Sequence, residues 1–306
     1  MSMGDQTTPE HVRAAPPRRR IGAYILPGDP VWLESSLSRY YSLLDALVVV
    51  APTNRRGWTG RPVPVDLCLE IIARVDTRNI RQVVWGQWED HAEPMRADTA
   101  QRQAGIDALG DTVDWLFQID NDELLPDPGA LLEMVDEAEA KGIGAVEWPM
   151  RVLFRRLPSG DYLEVCSSSR APRYDYPGPI AIRSHSRAVD ARRCEGATLR
   201  VTVKGDDESL QLRHEPAEGE VRVARLGPEQ AILHNSWGRE PGMIRQKIRT
   251  WGHASGIKGQ LYYWLQWFPA PITWRWMRDI HPFARGLWPR LSRTRSVRML
   301  LVDADR

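Results

Sequence analysis

Trp115-Leu116-Phe117-Gln118-Ile119-Asp120-Asn121-Asp122-Glu123 is an apolar run that passes without a break into three carboxylates within four residues. The run has the length and composition of a buried strand, so the acidic residues fall at its carboxyl end. Working outward, Ala97 to Leu109 has helical spacing, and Pro128 to Lys141 is a helix with Asp127 available as its N-cap. The alternation continues on both sides. Ile21 to Leu26, Ala46 to Val50, Gln82 to Trp85 and Gly144 to Leu153 read as strands, and Val31 to Leu44 and Val65 to Val75 as helices. Such alternation predicts βαβ units, hence an α/β, Rossmann-like fold with a mostly parallel sheet flanked by helices. Ligands of these sheets bind outside the carboxyl ends of the strands. That singles out Pro27 to Asp29, Pro52 to Arg56, Gly86 to Asp90 and, above all, Asp120 to Glu123.

Three crowded carboxylates repel one another, and a divalent cation is the simplest remedy. Mg²⁺ and Mn²⁺ are hard ions held by one or two carboxylates together with substrate phosphate oxygens. At a turn, Asp120 and Asp122 can converge on one metal, or on its water and a ribose. The bland alternative is an acidic turn that caps the helix beginning near Pro128.

The 306 residues are 42% hydrophobic and 26% charged, enough apolar material for a large core. The N-terminal 20 residues, with Pro16, Pro17 and Arg18 to Arg20, read as a flexible arm. No apolar run suits a membrane span or a secretory signal, which predicts a cytoplasmic protein. Cys68, Cys166 and Cys194 form neither a disulfide framework nor a zinc pattern. The net charge of +1 hides an asymmetry, because residues 237–306 hold 13 Lys and Arg against 4 Asp and Glu. Seven of the 13 tryptophans lie there too (Trp237, Trp251, Trp264, Trp267, Trp274, Trp276 and Trp288). Beyond Gly242 the chain reads as helical. Indole and guanidinium side chains together suit a bilayer interface, and Phe283, Leu287 and Arg285 extend the pattern. The same rings could instead pack on the sheet or stack on sugars in an acceptor groove. Nucleic-acid binding would explain the charge but not the acidic turn.

Arg102-Gln-Ala-Gly-Ile-Asp-Ala-Leu followed by the Asp114 to Glu123 stretch resembles the central signature of GT-A-fold glycosyltransferases of family 2. There a helix bearing Arg or Lys precedes an apolar strand ending in Asp-x-Asp, often Asp-x-Asp-Glu. His214-Glu215, then His234-Asn-Ser-Trp237 with Lys247 and Trp251, resembles the ending of a subset that includes lipopolysaccharide-core-type glucosyltransferases. The resemblance covers roughly residues 21–253. It implies a catalytic domain over 21–236, a basic aromatic extension over 237–306, and hexosyl transfer from a nucleotide-diphosphate sugar to a hydroxyl acceptor. That acceptor would be a glycan or lipid-linked, the latter met at the inner face of the plasma membrane. In these terms Asp122 ligates Mn²⁺ or Mg²⁺, Asp120 contacts ribose or metal, and His234 is a third ligand. Glu215 is the general base if the enzyme inverts, and Arg102 and Lys247 face the diphosphate. Pro27, Thr53 and Asn54 would line the nucleotide pocket, although family members usually carry Asn-Glu where this chain has Pro27-Gly28-Asp29, and an acidic residue where it has Pro52-Thr53-Asn54.

Bland readings stand beside several of these roles. Asp206, Asp207 and Glu208 compete with Glu215, and His214, His234, His253 and His281 are each a structural histidine by default. Arg102 on a helix face could equally form a surface ion pair. Glycine-rich dinucleotide and P-loop signatures are missing, as is a Gly-x-Ser-x-Gly elbow. The rival functions are a non-catalytic sugar-nucleotide or glycan-binding module of the same fold and a sugar-phosphate nucleotidyltransferase.

Overall fold

The computed structural model describes residues 18–250, 257–282, 284–297 and 300. Most of the expected N-terminal arm (residues 1–17), Trp251, His253 and Phe283 lie outside the described residues. In chain order the elements are β1 (Ile21–Ile25), α1 (Leu33–Tyr40), β2 (Ala46–Pro52), α2 (Val65–Val75), β3 (Arg81–Gly86), α3 (Pro94–Leu109), β4 (Trp115–Phe117), β5 (Glu123–Leu124) and α4 (Pro128–Ala140). There follow β6 (Ala145–Glu147), β7 (Met150–Arg156), β8 (Tyr162–Cys166), β9 (Pro179–Arg183), β10 (Ala188–Asp190), β11 (Arg193–Cys194), β12 (Thr198–Val203), β13 (Glu220–Leu226) and β14 (Ile232–His234). The chain closes with α5 (Pro241–Thr250), α6 (Ile257–Tyr262), α7 (Ala270–Thr273) and β15 (Arg290–Thr294).

The molecule is mixed α/β with a large, mostly parallel sheet flanked by helices. Its strand order is β13-β12-β6-β9-β4-β1-β2-β3, and only β9 runs against its neighbours. β1 shows how the layers arise. Ile21, Ala23 and Ile25 face a core shared with α1, α2 and α4, whereas Tyr24 faces a second core shared with α3. Alternate side chains point to opposite faces, so a strand apolar at every position is covered on both. Gly105 lets α3 approach closely: an added Cβ would lie 2.8 Å from Tyr24 Cγ.

A second sheet has the order β15-β8-β7-β14-β5. The single strand expected over Gly144 to Leu153 is two strands, one in each sheet, divided at Trp148 and Pro149. Proline has no N–H for the ladder, and the Trp148 indole leaves the sheet to donate to the Gln230 carbonyl at 2.9 Å. The C-terminal segment is not helical throughout. Residues 263–267 form a π turn, and β15 pairs antiparallel with β8. Trp237, Trp267 and Trp288 are buried with Phe154, Leu163 and Val165 of the second sheet, so part of the aromatic segment is core. The described end of the N-terminal arm is tied down, with Arg19 paired to Asp136 and Glu139 and Arg18 to Asp45. No helix among the described residues is long and apolar enough to cross a membrane.

Candidate functional site

The acidic turn joins the two sheets. β4 ends in the first, the chain turns through Asp120 and Asp122, and β5 begins the second. The antiparallel register of β5 with β14 sets His234 opposite Glu123, and Asn235 N–H donates to the Asp122 carbonyl at 2.8 Å. A histidine far along the chain thereby reaches the strand end. Its Nε2 lies 3.5 Å from Asp122 Oδ2. The Asn121 side chain donates to the Leu26 carbonyl at 2.9 Å, which ties the buried Pro27 and the end of β1 to the same turn.

Guanidinium groups surround the carboxylates. Arg102, delivered by the polar buried face of α3, holds Asp98 at 2.7 Å and Asp120 at 3.1 Å. It is a buried cation rather than a surface ion pair. Arg192 bridges Asp120 at 2.5 Å and Glu123 at 2.6 Å, and Arg239 spans Asp122 and, at 2.6 Å, Asp29. Gln118 orients Arg192 by donating to its carbonyl at 2.7 Å while accepting from the Tyr24 hydroxyl. Lys247, on α5, donates to Ser236 O and Oγ at 2.8 and 2.7 Å.

The electrostatics follow from these contacts. Burial alone would raise Asp120, but Arg102 and Arg192 bring it down to about 2. Burial likewise opposes ionisation of Asp122, and Arg239 with His234 overrides it and holds Asp122 well below the carboxylate range. Glu123, with no exposed surface, is lifted by burial in spite of Arg192. Burial works to lower His234, yet Asp122 and Glu123 raise it and favour imidazolium. Burial, reinforced by Arg239, lowers Lys247 to about 7.

This arrangement differs from the expected metal site. Asp120 is taken up by two arginines and Asp122 by a third. Among the described residues no three His, Cys, Asp or Glu side chains converge as a ligand set. Asp120, Asp122 and His234 therefore do not fit Mn²⁺ or Mg²⁺ as arranged. The repulsion that pointed to a cation is met by guanidinium groups.

The other expected site residues divide. Lys247, His234, Arg102, Asp120 and Asp122 come together, and Pro27 adjoins them. Thr53 and Asn54 are exposed beyond β2, where Thr53 Oγ1 donates to the Gly86 carbonyl at 3.1 Å and Asn54 to Glu89 at 2.9 Å. Glu215 is not brought to the turn. It is exposed in the β12–β13 connection, near the amino end of an outer strand, with β12, β6 and β9 between that strand and β4. Its competitors Asp206, Asp207 and Glu208 lie in the same connection, and Asp206 is bound to Ser209. His214 is exposed, and His281 accepts from Ala284 N–H against the Trp288 ring. A surface groove of about 700 Å³ lies on α3 and the 185–190 stretch, lined by Met95, Thr99, Gln103 and His185, and takes in none of the acidic turn. Arg192, Arg239 and Gln118 are the partners that the sequence reading missed. Arg239 had a signal in its position between His234 and Lys247. Arg192, among short strands, had none.

No protein-family model matches the chain, and no curated protein sequence matches it. Among solved structures it is similar to 4-diphosphocytidyl-2C-methyl-D-erythritol synthase from Anaerococcus prevotii, with 13% identity over 54% of this chain and 72% of that one, and a TM-score of 0.31. A second structure of a synthase of that name matches at 18% identity over 55% of this chain and 76% of that one, with a TM-score of 0.31. Mannose-6-phosphate isomerase from Helicobacter pylori matches at 17% identity over 54% of this chain and 60% of that one, with a TM-score of 0.28. Identities and TM-scores this low describe a distant likeness and assign no chemistry.

Proposed function

We propose that the acidic turn and its cations form the donor site of a glycosyltransferase that moves a hexosyl group from a nucleotide-diphosphate sugar to a hydroxyl acceptor, glycan or lipid-linked. The observation that carries this reading is the convergence of Asp29, Asp122, His234, Arg239 and Lys247 at the carboxyl end of a parallel strand. That is where α/β sheets bind nucleotides. Departure of a nucleoside diphosphate develops negative charge. Prearranged guanidinium and ammonium groups stabilise it. Asp120, the most exposed of the turn carboxylates, would accept from ribose hydroxyls.

The remoteness of Glu215 favours a second reading, a module of the same fold that binds sugar nucleotides without turning them over. A turnover assay separates the two. The protein is incubated with nucleotide-diphosphate sugars and glycan acceptors, and nucleoside diphosphate release is followed. Acceptor-dependent release, lost in Asp122→Ala, supports the transferase. Donor binding without release in either protein supports the module.

A further inference from the structure

The large apolar side chains left exposed by the C-terminal segment form one stripe. Ile257, Leu261 and Leu265 begin it, Trp264 and Phe268 widen it, and Ile272 and Trp276 end it, each between 45% and 80% exposed. Spacings of three and four residues, with Leu265 beside Trp264, keep them on one side of the consecutive turns formed by α6, the π turn, α7 and residues 274–276. The opposite side is already used, because Tyr263, Trp267 and Ala270 are buried against the second sheet. The ridge is therefore apolar surface beyond what the core consumes, and contiguous patches of that kind mark contact sites.

Charge identifies the occupant. Residues 257–276 contain Lys258 and Arg275 and no Asp or Glu, and Arg278 follows. Arg245 lies over the Tyr263 and Trp264 rings at 5.0 and 4.8 Å, which places a guanidinium at the edge of the ridge. Exposed aliphatic and indole groups flanked by cations complement a partner that is apolar within and anionic at its face. We propose that this ridge lies in the plane of a membrane surface carrying anionic lipid headgroups, with its apolar residues among the acyl chains. Arg245 and Lys247 share α5, so one helix sets a cation at the edge of the lipid-facing ridge and another at the nucleotide site. The inference thereby deepens the transferase reading by making the acceptor lipid-linked, and for that clause alone it rests on that reading.

The test uses the full chain in co-sedimentation with phosphatidylglycerol-containing vesicles and with pure phosphatidylcholine vesicles. The expected result is binding to the anionic vesicles that weakens as salt is raised. Replacing both Leu265 and Trp276 by Ser should weaken partitioning by at least about tenfold, since each removes a large apolar group from the contact. Both residues are exposed, so melting temperature and nucleotide affinity should stay at their wild-type values. Equal binding to both vesicle types, or none to either, overturns the proposal. So does a dimer in sedimentation velocity that the double variant dissolves, because the ridge would then cover a second copy. Vesicle binding by a chain that fails to bind nucleotides would sink the transferase reading and leave the ridge standing. Nucleotide binding without vesicle binding would do the reverse.

Discussion

Lys247 is held down to about 7 by burial first and Arg239 second, so near neutral pH its charge depends on what arrives. A bound diphosphate favours the ammonium form, and nucleotide binding must then take up a proton. The sign follows. Below 7 the lysine is already charged and adds to the attraction. Above 7 binding must also protonate it, so affinity falls as pH rises. His234, raised by Asp122, works in the same direction. The expected loss is about tenfold between roughly pH 6 and pH 8, read by titration calorimetry at each pH. Lys247→Met should bind more weakly and flatten the profile. A wild-type affinity that rises over that range would contradict the assignment. At this scale the carboxylates were legible because an apolar strand ran into them, and His234 because a short apolar run delivered it. Arg192 was not, since it reaches Asp120 across 72 positions from a stretch without periodicity. Glu215 misled because adjacency to a histidine says nothing about which end of a sheet a connection occupies.

Gly105 couples one element to the site. α3 crosses β1 at this residue, and an added methyl would meet Tyr24 Cγ at 2.8 Å and Cβ at 2.9 Å, close to the strand backbone and unable to swing away. Gly105→Ala should therefore push α3 off the sheet and displace Arg102, one turn earlier, from Asp120. The expected cost is about 1–3 kcal/mol in urea unfolding, with weaker nucleotide binding. Unchanged stability and affinity would show that α3 yields without moving Arg102. Strands β1, β2 and β4 and helices α1 to α4 were readable because both-face burial makes strands continuously apolar and one-face burial gives helices their period, whereas β9, which runs against its neighbours, was not. The second sheet was not readable. β5 and β14 are two and three residues long, too short for a period, and β15 is recruited only by its pairing with β8. The break between β6 and β7 had a local signal, Pro149, masked by the apolar residues on both sides.

In the whole molecule the acidic turn sits where two sheets meet, and its charge is balanced by arginines drawn from α3, from the stretch between β10 and β11, and from the loop after β14. With the turn balanced by guanidinium groups, the proposed donor site would receive a diphosphate without an added cation. Five of the 13 Lys and Arg residues of 237–306 lie at two places. Arg239 and Lys247 serve the site, and Arg245, Lys258 and Arg275 flank the exposed ridge. The most direct measurement is titration calorimetry of uridine and guanosine diphosphates and their sugars, first in a chelator and then in Mn²⁺. The account predicts that at least one binds in the chelator with an affinity that Mn²⁺ leaves within about threefold, and that Arg239→Ala loses about tenfold or more, as removal of a charged hydrogen bond to an anion would give. Binding only in Mn²⁺, or in neither condition, would contradict it.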